Sequence, residues 1–194
     1  MTLQPSPDML SVCASMGFIA RNYFHLRRSN EQPNIQFILE KLSHGLSGDE
    51  FPDLLLYLVS NRKTIIYCST IDMCWRVAIY LWHLLPPCSD KMARIRLYHA
   101  LCWSKENEET TRLLCEDPWT QIVIATIAFG QGINVKTLLD SIQLSFPVSL
   151  DQEQQQRGRV GRDLTTPAHG ILLFQPSAAV AAEKYLKCKL PDGF

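Results

Sequence analysis

From Thr64 to Phe174, short apolar runs rich in β-branched residues alternate with segments of helical period, and few folds accommodate that alternation. Thr64-Ile-Ile-Tyr-Cys68 is a continuous apolar run, as expected of a parallel strand buried on both faces. Ile71, Cys74, Trp75, Ala78, Leu81, Trp82 and Leu85 then recur at helical steps, and Pro86-Pro87 stops the helix. Arg94 to His99 reads as a strand and Ser104 to Glu116 as a helix. Ser104, Asn107 and Glu108 give that helix a near capping box, one residue out of place. Gln121 to Thr126 is the next strand, followed by a loop holding Gly130 and Gly132. Ile142 to Phe146 is a strand, Leu150 to Arg157 a helix, Gly170 to Phe174 a strand and Ala178 to Lys187 a closing helix. The expected class is α/β, a mostly parallel sheet flanked by helices on both faces. Ligands in such sheets sit beyond the carboxyl ends of the strands, so chemistry is expected in the loops after Cys68, Thr126 and Phe146. Ahead of this region, Ile35 to Leu42 and Phe51 to Val59 read as two helical pieces split by Gly45 and Gly48.

Composition narrows the class further. With 46% apolar and 20% charged residues, the 194-residue chain can build a core and is no disordered tail. A formal net charge of zero argues neither for nor against nucleic acid, because local patches drive that binding. No apolar run reaches the roughly 18 residues of a membrane span. The start, Met1 to Asp8, lacks the basic residue a signal peptide would carry. The seven cysteines form no Cys-x-x-Cys pair and the five histidines are scattered, so no metal site is expected. Free thiols inside apolar runs indicate a reducing compartment, nucleus or cytosol. Trp75 and Trp82 share a helical face and read as core or interface packing. His99 reads as a structural hydrogen-bonder, and Glu106, Glu108 and Glu109 as a solvated first helical turn.

The segment with the most chemistry is Gln155-Gln-Arg-Gly158-Arg159-Val-Gly161-Arg162-Asp163. Arg159 and Arg162 are spaced to point the same way on a helical turn, and the glycines let a neighbouring surface approach. Guanidinium groups suit the spread charge of a transferring γ-phosphoryl group. A solvated basic turn, or a generic arginine–glycine loop for nucleic acid, is the alternative at this point.

Gln-x-x-Gly-Arg-x-Gly-Arg resembles the sixth motif of superfamily-two helicases. Ile122-Val-Ile-Ala-Thr126-Ile-Ala-Phe129-Gly130-Gln-Gly132-Ile-Asn134 resembles the fifth motif of the RecQ family. Ile65-Ile-Tyr-Cys68-Ser69 is similar to its fourth motif, Tyr98-His99-Ala100 to the triplet that follows, and Pro33-Asn34-Ile35 to the opening of its second RecA-like lobe. The similarity runs in family order over roughly residues 33–187. DEAD-box RNA helicases have histidine where this chain has Gln155, and they lack the Ala-Phe-Gly run. The resemblance implies a single RecA-like lobe of an ATP-dependent DNA helicase moving three-prime to five-prime. It implies that Arg159 and Arg162 are arginine fingers, and that Gln155, Gly132 and Asn134 lie along the ATP cleft. DNA contact is expected at Ser69, Thr126 and Gly130, where hydroxyls and backbone amides suit phosphate oxygens. A glycine turn required only by topology, and a helix N-cap at Ser69 or Thr70, are the plainer readings of those positions.

Two elements of a complete motor are missing from this sequence. No Gly-x-x-x-x-Gly-Lys-[Ser/Thr] occurs, and Asp49-Glu50-Phe51-Pro52 lies in a loop region where the acidic magnesium motif would need a strand. ATP and Mg2+ are therefore expected to be held mainly by a first RecA-like lobe, normally in cis, which together with DNA makes up the implied partners. Residues 1–32 are expected to be a connector from that lobe, 33–190 the helicase C-terminal domain, and 191–194 the start of a following region. Gln131, Val135, Ser145 and Leu101 replace a methionine, a lysine, an aspartate and a glycine common in the family, and Arg157 is unusual before Gly158. The loss at Val135 is expected to weaken DNA contact. A diverged, non-enzymatic module binding nucleic acid or a protein is the alternative function.

Overall fold

The structure, a computed structural model, describes residues 11, 13–17, 32–58, 62–87, 90–130, 135–147, 149–163 and 165–181. The chain divides into two compact units, Met1–Glu31 and Gln32–Phe194. In the first, residues 13–15 are helical and the Gly17 N–H donates to the Ala14 carbonyl.

The second unit carries strands β1 (Ile35–Lys41), β2 (Lys63–Tyr67), β3 (Ile95–Tyr98), β4 (Ile122–Ala125), β5 (Leu138–Leu144) and β6 (Ala168–Phe174). Its helices are α1 (Pro52–Leu55), α2 (Ile71–Leu84), α3 (Lys91–Arg94), α4 (Ser104–Glu116) and α5 (Leu150–Arg157), with a 3-10 turn at Ile127–Gly130. Residues 176–181 are helical. The strands form one six-stranded sheet in the order β1-β6-β5-β2-β4-β3, and every pairing is parallel.

The period of two along each strand sorts the core into two layers. Ile66, Ile124, Ile142 and Ile171 face α1 and α2, where Leu54, Cys74, Val77 and Ala78 pack on them. Ile65, Tyr67, Val123 and Ala125 face the opposite layer, with Leu114 of α4, Phe129 and Val160. Each such aliphatic side chain stabilises the fold by roughly 1.5–3 kcal/mol on burial. α2 starts at Thr70, whose hydroxyl accepts from the Met73 N–H at 3.1 Å, and it ends just before the proline pair. Lys63 closes the far end of α4 by donating from Nζ to the carbonyls of Leu114 and Asp117.

The structure corrects several expectations. Ile35–Lys41 is the edge strand β1, paired with β6 along its whole length, not a helix. Its apolar residues fit either period, and pairing with a segment about 130 positions away selects the strand. α4 is capped at Trp103 with no side-chain bond, so Ser104 is its first helical residue. Of the tryptophans, Trp82 is partly buried and donates to the Ile95 carbonyl at 3.3 Å, whereas Trp75 is 44% exposed. Glu106 and Glu109 are not merely solvated, since each accepts from an arginine, Arg96 and Arg112. His99 is buried, and its carbonyl accepts from Cys102 N–H and Asn107 Nδ2. The cysteines of the described residues are free, and Cys88 and Cys188 lie outside them. Among the described residues no helix is long and apolar enough to cross a membrane.

Candidate functional site

The arginine segment is set by the path of α5. Ser149 caps the helix by accepting from the Gln152 N–H at 3.2 Å, and Gly158 ends it with its N–H on the Gln154 carbonyl at 2.8 Å. A helix that follows a strand runs back along the sheet, so the chain after α5 emerges at the amino ends of the strands. There the Gly161 N–H donates to the carbonyl of Leu138, the first residue of β5, at 3.1 Å. Gly161 has φ +60°, and a Cβ would stand 2.7 Å from Ala168 Cβ and 2.9 Å from Asn34 Nδ2. Only glycine fits that conformation and that space. Val160 is fully buried beside it. Arg159 and Arg162 therefore leave from either side of an anchored Val160-Gly161 pair, and both are partly buried.

Both guanidinium charges act on the hydroxyl of Tyr67, at the end of β2. Burial pushes the Tyr67 phenol well above its ordinary value, and the two arginines pull it back only in part. Its hydroxyl oxygen is buried without a hydrogen-bond partner among the described residues. After Arg162 the loop is closed by Asp163, whose carboxylate accepts from Thr165 Oγ1 at 2.7 Å, Thr165 N–H at 3.0 Å and Thr166 Oγ1 at 3.2 Å. The Thr165 hydroxyl is the main reason that this carboxyl is held below the usual range.

Arg157 belongs to the fold. Its guanidinium lies 5.0 Å from the centre of the Phe37 ring, Nε is 3.5 Å from Glu153 Oε1, and its methylenes fill the space where a Cβ on Gly170 would stand. Gln155 is exposed on α5. Gly132 and Asn134 lie outside the described residues.

Ser69, Thr126 and Gly130 are found at the other end of the sheet or in the segment that leaves it. Ser69 and Thr126 follow the adjacent strands β2 and β4, so their loops are neighbours. Thr70 takes the capping role, and Ser69 is exposed, with a long 3.9 Å contact from Oγ to Met73 Sδ. The Thr126 carbonyl accepts from the Phe129 N–H at 3.2 Å, folding the 3-10 turn over a buried Phe129 whose ring meets Tyr98 edge-on at 4.9 Å. Ser145, just past β5, holds φ +88°, a conformation that non-glycine residues adopt rarely. Val135 is buried in the core layer, so its side chain packs against the fold and offers DNA nothing.

Ser69 and Thr126 follow the carboxyl ends of β2 and β4, whereas the backbone that carries the arginines is tied to the amino ends through Leu138 and Asn34, with Tyr67 at the carboxyl end of β2 under both guanidinium charges. Sequence reasoning also missed Asn34 and Tyr67 as parts of the arginine site. The Pro33-Asn34-Ile35 run was the available signal for the first. Tyr67 was marked only by its place in the Ile65-Ile-Tyr-Cys68-Ser69 run.

The family model described as helicase conserved C-terminal domain matches residues 49–163, more than half of the chain. The ATP-dependent DNA helicase RecQ of Pasteurella multocida is 29% identical over 156 residues, which cover 77% of this chain and 22% of that protein. The RecQ helicase of Haemophilus influenzae is 28% identical over 158 residues, 81% of this chain and 24% of its own length. The chain thus spans about a quarter of these curated relatives. Among solved structures, the DUF1998 helicase MrfA bound to DNA superposes with a TM-score of 0.61 at 17% identity, covering 82% of this chain and 24% of that one.

Proposed function

This chain belongs to the helicase conserved C-terminal domain family and has RecQ DNA helicases among its relatives, and from that we propose that it is the second lobe of an ATP-driven DNA strand-separating motor. The observation that carries the reading is the pair Arg159 and Arg162, set on both sides of a glycine that is locked against the sheet. Two guanidiniums at one edge fit phosphate oxygens, and they supply charge where a transferring phosphoryl group develops it. Gln155, Gly132 and Asn134 would line the same cleft. Mg2+ and most of the nucleotide would be held by the acidic and glycine–lysine motifs of a first lobe, to which residues 1–32 would be the connector. Residues 191–194 would open a following region, and the working compartment would be the nucleus or the cytosol.

The first test is hydrolysis. The 194-residue chain alone is expected to show no ATPase activity, with or without DNA, since it lacks the phosphate loop. Joined to a first lobe that carries that loop, it is expected to give DNA-stimulated turnover. Robust hydrolysis by the purified chain alone, free of contaminating ATPase, would sink the reading.

The second test is DNA itself. The lobe offers few phosphate contacts, near Ser69, Thr126 and Gly130, and has no net positive charge to assist. Single-strand binding should be weak, roughly micromolar to submillimolar, with a log–log salt slope of about −2 for some three phosphates. It should be indifferent to base sequence, because backbone contacts position without specifying. Thr126→Ala should weaken it, and a fluorescence salt titration reads both quantities. Tight, sequence-selective, salt-insensitive binding would favour a dedicated binding module.

A further inference from the structure

Asn34 lies immediately before β1, 127 positions from Gly161 in sequence, yet its side chain holds the arginine loop. We propose that Asn34 is the positioning residue that sets where Arg162 stands, an inference that rests on the nucleotide-cleft reading of the two arginines. Asn34 Nδ2 donates to the carbonyls of Gly161 at 2.7 Å, Asp163 at 3.2 Å and Thr166 at 3.2 Å. Its own carbonyl accepts from the N–H of Ala168, the first residue of β6, at 2.9 Å. The first two acceptors flank Arg162 on either side, so the backbone that carries this guanidinium is tied to one amide group. The third extends the clamp toward the entry of β6.

The chemistry selects asparagine. A reversed amide would set Oδ1 against three carbonyl oxygens, so the orientation follows from the acceptors. Aspartate would bring charge and no hydrogens to the same three oxygens, and alanine would bring nothing. Gly161 completes the fit, because any Cβ there would fall within 2.9 Å of Asn34 Nδ2. Asn34 also sits where the chain enters this unit, which begins at Gln32.

The test is amide hydrogen exchange by NMR on the 194-residue chain. In the wild type, the Asn34 Nδ2 protons are expected to exchange well below the rate of a free side-chain amide. In Asn34→Ala, the N–H groups of Gly161, Thr165 and Thr166 should exchange faster by about tenfold or more, while those of β2 and β4 keep their protection. Unprotected Asn34 side-chain protons in the wild type, or an unchanged loop in the folded variant, would overturn the proposal. The wild-type arm decides the matter even if the variant fails to fold.

Turnover supplies the readout that a merely structural role would not move. In the chain joined to a first lobe, Asn34→Ala should lower kcat for ATP more than it changes KM. Combined with Arg162→Ala, it should slow the enzyme no further than Arg162→Ala alone. Additive slowing would overturn the positioning role. A silent Arg162→Ala would remove the cleft reading beneath the proposal, and the exchange result would separate that failure from a failure of the clamp.

Discussion

Alanine at Arg159 or at Arg162, in the chain joined to a compatible first lobe, is expected to lower DNA-stimulated ATP turnover by about a thousandfold or more. That corresponds to roughly 4 kcal/mol of lost transition-state stabilisation. The affinity for ATP should fall much less, because the charge that the guanidiniums offset is greatest in the transition state. Lysine should rescue poorly at either position, since an ammonium lacks the planar fork. Arg157→Ala makes the contrast. Its side chain is engaged with Phe37, Glu153 and Gly170, so its loss should lower stability before it touches turnover. Steady-state ATPase at saturating DNA measures the turnover effects and a thermal melt the stability of Arg157→Ala, and near-normal turnover with alanine at Arg159 or Arg162 would remove that residue from the cleft.

The largest loss of stability is expected at the opposite kind of site, where a charge is buried for structure alone. Asp140 in β5 is 1% exposed; its Oδ2 accepts from Arg62 Nε at 2.7 Å and its Oδ1 from Arg62 Nη2 at 2.6 Å, and His169 Nδ1 lies 2.8 Å from the same Oδ1. The bidentate bond to the carboxylate is the main cause that holds the Arg62 pKa above its ordinary value. Asp140→Ala leaves a guanidinium and an imidazole facing a gap, at a cost of about 3–5 kcal/mol. For a domain of this size the thermal midpoint should fall by roughly 6–20 °C. Asp140→Asn, which keeps an acceptor oxygen, should lose less. An alanine variant as stable as the wild type in thermal melts would show that the cluster adds nothing to the fold.

Much of the layout can be read from the residues because it is local. The span Ser104–Glu116 and the span Leu150–Arg157 coincide with their observed helices, and β2 and β4 fall within a residue of their apolar runs. β1 could not be read that way. Ile35, Phe37, Ile38 and Leu39 suit a strand or a helix, and the deciding partner, β6, comes at the far end of the unit. The arginines were visible as a motif, but the anchoring of their backbone against Leu138 and Asn34 depends on how α5 returns along the sheet. The surroundings of Val135 and Arg157 were out of reach for a related reason. A buried valine and an arginine stacked on glycine and phenylalanine are tertiary facts that spacing does not encode. Asn34 was legible as a residue and illegible as a clamp, since its acceptors are backbone carbonyls that no side-chain pattern reveals.

Arg159 and Arg162 are proposed to act on the transferring phosphoryl group. The most direct test compares the binding of ADP with aluminium fluoride against ADP alone, in the two-lobed protein with DNA present. The wild type is expected to prefer the transition-state mimic strongly, and each alanine variant to lose about a thousandfold of that preference while still binding ADP. Variants that keep the wild-type preference would contradict the assignment of both arginines.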